Sequence, residues 1–257
     1  MKRVVTALAL IPIVLYVVLW SPPWAVLGVT ALVALLCYHE FSGMAAAYQA
    51  GKLGPLGYVA GLLILALPDE RGVLLVLVAA ALASLGLALR ADDLRAGILR
   101  VAFLALGMIY VFGCWRFAPL LRAENRYWLF YALVLNWIGD VGAYYLGRSL
   151  GRHKLAPVVS PGKSWEGAAA SLGVSLVCGF FFLRWAIPAV PPAAALVLTA
   201  AANIAGQFGD LCESALKRGA GVKDSGTLLP GHGGMLDRVD STLFTLPIVY
   251  FYVIVSR

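Results

Sequence analysis

The 257-residue chain is 61% hydrophobic and 13% charged, with a mean hydropathy of +0.87, whereas a soluble globular protein carries about 25% charged residues. That balance excludes a water-soluble domain, and its 20 Lys and Arg against 13 Asp and Glu leave room for about eight to ten membrane crossings. A net charge of +7 in such a chain points to topology, anionic lipid or an anionic substrate rather than to nucleic acid.

Lys2 and Arg3 open an apolar run, but Ser21-Pro22-Pro23-Trp24 is not a small-residue cleavage site and another apolar run follows, so an uncleaved first helix is expected. Nine apolar stretches follow one another at about 4–20, 22–38, 53–67, 72–89, 98–115, 127–147, 167–183, 193–211 and 241–255. The fold class they predict is an all-α, polytopic integral membrane protein with about nine transmembrane helices. Pro22-Pro23 stand at the junction of the first two stretches, and Pro68 and the Pro188, Pro191, Pro192 cluster fall between stretches, positions where a missing N–H costs a helix nothing. Cys37, Cys114, Cys178 and Cys212 are far apart in apolar surroundings, with no C-x-x-C pair, and read as small core residues. With a cytoplasmic N-terminus, 14 Lys and Arg fall on inside segments and 6 on outside ones. Arg116, Arg122 and Arg126, on the outer side, count against that orientation. Two functional parts are expected: membrane helices over 1–126 as scaffold or lipid-facing wall, and catalytic helices with cytoplasmic loops over 127–257.

Polarity gathers in residues 140–240, which hold 7 of the 13 acids. Asp210, Glu213, Ser214 and Lys217 stand at i, i+3, i+4 and i+7, one polar stripe on a helix that must meet water, a cavity or a ligand. From Lys223-Asp224-Ser225-Gly226 to Gly231-His232-Gly233-Gly234 the chain is a loop whose glycines let backbone amides approach a phosphate. Lys217, Arg218, Lys223 and Arg238 supply cations for phosphate oxygens, and Asp224, Asp237 and Asp240 supply hard oxygen ligands of the kind Mg²⁺ takes together with substrate phosphates. Asp237 and Asp240, at i and i+3, can share a face.

The run Ser214-Ala-Leu-Lys217-Arg218, four residues, Lys223-Asp224-Ser-Gly, then Leu229-Pro230-Gly231-His232-Gly233-Gly234-Met-Leu-Asp237-Arg238-Val-Asp240 resembles the signature of the phosphatidate cytidylyltransferases, or CDP-diacylglycerol synthases. It does so without departure over 27 positions. Upstream, Asp140 with Tyr144 and Gly147, Ser160-Pro161-Gly162-Lys163-Ser164-Trp165-Glu166-Gly167, and Gly209-Asp210-Leu211 extend the likeness to about residues 136–241. The resemblance implies transfer of a cytidylyl group from CTP to phosphatidate with Mg²⁺, leaving room for a second cation. It also implies a multi-pass protein of the cell inner (plasma) membrane with residues 148–166 and 212–240 in the cytoplasm. Its partners are CTP, phosphatidate and the bilayer, with no nucleic acid, and it admits a homodimer. By the same resemblance Asp210 and Asp237 are the principal metal ligands, with Asp224 and Asp240 as further partners, and Lys217, Arg238 and Asp240 join them as catalytic residues. Lys163, Ser164, Ser214, Arg218, Lys223, Asp224, His232, Gly233, Gly234 and Asp140 are the expected substrate and phosphate contacts.

Gly162-Lys163-Ser164 echoes the end of a P-loop, but Pro157 stands where that motif needs glycine. Lys163 and Ser164 are instead expected at a helix N-terminus, where Glu166 and the dipole complete an anion site; an ordinary helix cap is the plainer alternative. Asp140, with Asn136 and Tyr144 one turn either side, lines a cavity or forms an inter-helix hydrogen-bond seam. Asp210→Asn and Asp237→Asn are expected to abolish turnover and leave the fold intact. A cation or organic-anion transporter would also use Asp140, Asp210 and a basic loop, but would be expected to show inverted repeats, and none stands out.

Overall fold

A computed structural model describes residues 2–228, 231 and 233–257, with side chains from Ile11 onward. The chain forms two compact units that interleave along the sequence, residues 1–17, 21–119 and 216–238 in one and 18–20, 120–215 and 239–257 in the other.

In the first unit α2 (Pro23–Ala47), α3 (Pro55–Ala66), α4 (Glu70–Ala88) and α5 (Leu94–Gly107) succeed α1 (Lys2–Trp20). A π-helical turn over Met108–Gly113 carries α5 directly into α6 (Cys114–Glu124). Asp69 and Asp93 start α4 and α5 by accepting the Gly72 and Arg95 amides, caps that contribute about 1 kcal/mol each. The core is aromatic. Tyr38 and Phe41 of α2 pack on Phe112, Tyr58 and Phe103 at centroid distances of 4.9–5.8 Å, and Gly61 of α3 gives the Phe112 ring the space a Cβ would fill.

The second unit holds α7 (Arg126–Leu150), a two-stranded antiparallel hairpin of β1 (Lys154–Ala156) and β2 (Ser160–Ser164), α8 (Trp165–Ala186), most of α9 (Pro192–Gly219) and α10 (Asp240–Val255). α7 and α8 touch backbone to backbone. A Cβ on Gly147 would sit 3.1 Å from the Cα of Gly167, and one on Gly142 would sit 3.2 Å from the Ala170 carbonyl. Small residues allow such an approach between helices in lipid, where the hydrophobic effect does not drive association.

Among the described residues, six helical segments are long and apolar enough to cross a bilayer: Pro23–Ala47, Glu70–Ala88, Leu94–Glu124, Arg126–Leu150, Trp165–Ala186 and Pro192–Gly219. Pro55–Ala66 and Asp240–Val255 are apolar but shorter than the ~20 residues a crossing needs, whereas α1, at 19 residues, is as long as α4. The chain is thus an all-α multi-pass membrane protein. The nine expected stretches all lie on helices, but two of them, 53–67 and 241–255, fall on helices of 12 and 16 residues that are short of a full span. Other boundaries also move. α2 runs nine residues past position 38, through His39 and Glu40, and α9 runs eight past 211. Two of the arginines that counted against the orientation are taken up within the second unit and one within the first. Arg116 is buried, with its guanidinium donating to the carbonyls of Ile64, in the last turn of α3, and Pro68, just past it, while Arg122 and Arg126 donate to the Val18 and Leu19 carbonyls at the end of α1. Orphan carbonyls at helix C-termini attract cations of this kind.

Candidate functional site

The second unit contains a cavity of about 440 Å³ walled by α7, α8, α9 and the hairpin. Its polar lining descends from Arg148, Lys163, Asp210 and Asp140 to Asn136, Ser171, Asn203 and Gln207. Lys163 on β2 pairs with the Asp210 carboxylate of α9, the two side chains being 27% and 31% exposed. The Ser214 hydroxyl stands 3.4 Å from the other Asp210 oxygen. Deeper down, Asn203 donates to Ser171 and Ser175 at 3.0 Å and accepts from Gln207 at 2.6 Å. Asn136 accepts from Thr245 of α10 at 3.0 Å. The Asn136–Asp140–Tyr144 stripe therefore serves both expected purposes: Asn136 belongs to an inter-helix seam, and all three line the cavity.

The helix-cap alternative holds for Ser164. Its hydroxyl is buried and accepts the Gly167 amide at 3.1 Å as the N-cap of α8. Glu166 does not complete an anion site. It accepts from the backbone N–H of His153 at 3.2 Å and lies 2.6 Å from that residue's ring Nδ1, which ties the hairpin to the first turn of α8. Lys163, with its ammonium at the cavity, is the residue of this segment placed to meet an anion.

The first unit builds the glycine-rich loop around two buried carboxylates. Asp237, on a 3₁₀ turn over Leu236–Arg238, has a side chain 4% exposed and lies 2.6 Å from Lys217 Nζ, itself 11% exposed. Its oxygens also accept the Ser225 amide at 3.0 Å and the Gly234 amide at 2.7 Å. Burial pushes this carboxyl upward, but the Lys217 hydrogen bond and charge and the two amides outweigh it and hold it below the usual carboxylate range. Gly233 lies at φ +81°, where a Cβ would be strained and only 2.6 Å from an Asp237 oxygen. The second carboxylate is Glu40 of α2. It accepts the Met235 and Leu236 amides, each at 2.8 Å, and the Ser225 hydroxyl at 3.0 Å.

The remaining expected residues are more open. Arg218 donates to the Val222 carbonyl at 3.3 Å, and Lys223, Asp224 and Arg238 are exposed. Asp240 opens α10 and accepts the Ser241 amide at 2.7 Å. His232, with Leu229 and Pro230, lies outside the described residues. Sequence reasoning missed Glu40, Arg148, Asn203 and Gln207. An acid within an apolar helix was the available signal for Glu40.

Mg²⁺ takes one or two carboxylates and completes its shell with water and phosphate oxygens. Asp210, partly exposed on the cavity, is a hard oxygen donor that suits such an ion. Asp237 would first have to surrender Lys217 and two amides. Among the described residues, no group of three or more His, Cys, Asp or Glu side chains is gathered around one point.

The profile of the cytidylyltransferase family matches residues 1–256 of the chain. A phosphatidate cytidylyltransferase of Bacillus subtilis (strain 168) is 45% identical over 154 residues, which cover 59% of this chain and 57% of the relative. Proteins of the same name from Staphylococcus haemolyticus and Staphylococcus aureus (strain COL) are 40% and 38% identical over 152 and 159 residues, covering 59% and 62% of this chain. These matches span 56% and 58% of the two staphylococcal proteins, so under two thirds of each relative is represented.

Proposed function

The chain belongs to the cytidylyltransferase family, and from that premise we propose that it transfers the cytidylyl group of CTP to phosphatidate, giving CDP-diacylglycerol and pyrophosphate. The observation that carries the reading is the cavity of the second unit. Its walls are apolar helices of membrane-spanning length, yet its lining presents Lys163, Arg148 and Asp210 together, so a lipid phosphate and a nucleotide phosphate can both be met there by opposite or metal-bridged charge.

The reaction needs no protein nucleophile. A phosphatidate oxygen forms a bond to the α-phosphorus of CTP while the bond from that phosphorus to the β-phosphate oxygen breaks, and the electron pair leaves with pyrophosphate. Lys163 and Arg148 bind phosphate oxygens, and Ser214 orients the Asp210 carboxylate. Mg²⁺, held by Asp210 together with substrate phosphates, would neutralise charge on the triphosphate as it spreads in the transition state. In the first unit, Arg218, Lys223, Arg238, His232 and the loop at Gly233 contact phosphate, with Gly234, Lys217 and Asp237 fixing the loop that carries them. We assign α1 and the two shorter apolar helices α3 and α10 as further crossings, residues 148–166 and 212–240 to the cytoplasm, the protein to the plasma (inner) membrane, and a homodimer as an assembly it can adopt.

The test is turnover by the purified protein in detergent with phosphatidate, Mg²⁺ and CTP labelled in the cytosine ring. Label should enter the lipid fraction as CDP-diacylglycerol, one pyrophosphate being released for each. A transporter would convert nothing without a sealed vesicle, and absence of labelled lipid overturns the proposal.

A further inference from the structure

Glu40 sits seven residues before the end of α2, in the part of the sequence that carries none of the family signature. Its residue is 7% exposed. Three donors from the glycine-rich loop converge on its carboxylate: the amides of Met235 and Leu236 at 2.8 Å and the Ser225 hydroxyl at 3.0 Å. The fit is close on both sides. A Cβ on Gly226 would lie 2.7 Å from one Glu40 oxygen, and a Cβ on Gly234 would collide with the carboxylate itself. Those two glycines belong to the loop assigned above to phosphate, Gly234 standing next to Gly233 and giving its own amide to Asp237. Ser225 also gives its backbone N–H to Asp237, so the same residue bridges Glu40 and the Lys217–Asp237 pair. An acid in a membrane helix is costly unless it has such partners and marks function by default, and amide donors left facing an apolar helix would be costly in turn.

We infer that Glu40 is the positioning residue of the glycine-rich loop: it touches no substrate, and it fixes Ser225, Met235 and Leu236 in the conformation from which the loop binds the nucleotide phosphates. The inference rests on the proposed cytidylyl transfer for what the loop binds, and on the hydrogen bonds alone for what shapes it. Removing the carboxylate therefore loosens the loop first and weakens CTP second, leaving phosphatidate untouched.

The experiment uses the full-length protein in detergent with Glu40→Gln and Glu40→Ala, read in two ways. Trypsin cleavage after the exposed Lys223 reports loop opening without any substrate. Steady-state kinetics report KM separately for CTP and phosphatidate. For Glu40→Gln, which keeps one acceptor oxygen, cleavage should rise at least about fivefold and the CTP KM by a similar factor. Glu40→Ala should exceed both by a further fivefold or more, and the phosphatidate KM should stay within twofold throughout. A role confined to general stability predicts a lower Tm with cleavage at 20 °C and both KM values unchanged per folded molecule, and that result overturns the inference. Should Glu40→Ala fail to fold, Glu40→Gln decides alone by the same two readings. If the wild type itself makes no CDP-diacylglycerol, the proposed function falls, and unchanged cleavage at Lys223 in Glu40→Gln is then what refutes the role of Glu40.

Discussion

Asp237→Asn should damage the architecture of the loop as well as its chemistry. The side chain is 4% exposed, and its oxygens accept from Lys217 Nζ at 2.6 Å and from the Ser225 and Gly234 amides. Asparagine keeps the volume but replaces one oxygen by an NH₂ that faces those donors, and it removes the Asp237 negative charge from beside the buried Lys217 ammonium. Removing one partner of a buried ion pair typically costs about 3–5 kcal/mol. Lys217→Met should cost less than that, because two amides still solvate the carboxylate. In the double variant both charges of the pair are gone, so the sum of the single effects should exceed the double effect by at least ~1.5 kcal/mol, a coupling within the range seen for contacting residues. Thermal unfolding in detergent, together with proteolysis at Lys223 as a measure of the opened population, supplies all three numbers. Coupling below ~0.5 kcal/mol would mean that the pair does not exist. The pair also sets a pH dependence: with the folded carboxyl below its usual value, the stabilisation is complete above the unfolded pKa of about 3.9 and is lost as pH falls through the lowered one. Asp237→Asn should abolish that acid step.

Lys163→Ala should raise the KM for CTP or phosphatidate at least about tenfold while costing under ~1 kcal/mol of stability, since its ion pair with Asp210 is partly exposed. Ser164→Ala should do the reverse, lowering stability by about 1 kcal/mol through loss of the α8 cap and leaving KM nearly unchanged; equal KM effects in the two variants would refute the division of labour. Asp210→Asn should fall below a tenth of the wild-type rate at saturating Mg²⁺, a barrier increase above ~1.4 kcal/mol, and EDTA should stop turnover reversibly without changing Tm. Retention of more than that tenth removes Asp210 from the metal site. Gly139→Ala should cost about 1–3 kcal/mol by overpacking, because its Cβ would lie 2.7 Å from Ser171 Oγ and 2.8 Å from Asn203 Nδ2; a Tm unchanged within 1 °C would show that the polar seam yields.

Hydropathy located the helices because a membrane core admits little else. It misplaced the end of α2 because it treats every charge as a demand for water. Glu40 makes no such demand, being satisfied by amides 195 and 196 residues further along the chain, and no local pattern reveals a partner at that distance. The same blindness affected Arg116, read as a loop cation and found at the carbonyls that end α3. Asp210, Lys163 and Lys217 were legible as polar residues too costly to keep in apolar surroundings without a purpose. What their types could not say is how they pair. Asp210 holds Lys163 on an open cavity, whereas Asp237 is enclosed by Lys217, and two carboxylates that look alike in the signature thus occupy different environments. The hairpin of β1 and β2 was hidden by Pro161 and Gly162, which argue against a strand; Ser164 and the Glu166–His153 contact secure it instead.

Because α7 and α8 meet through glycine, with the Gly147 and Gly167 backbones in contact and Gly142 against the Ala170 carbonyl, no acyl chain fits between them along that line. Two helices joined by a 14-residue hairpin segment, residues 151–164, and already complementary in shape should associate as soon as both have entered the bilayer, before any lipid need be displaced. The cavity of the second unit would then have its first wall during synthesis, and α9 and α10 would dock onto a preformed pair. A bulky residue at Gly142 or Gly147 would for that reason be felt as low yield of membrane-inserted protein, upstream of any effect on the reaction.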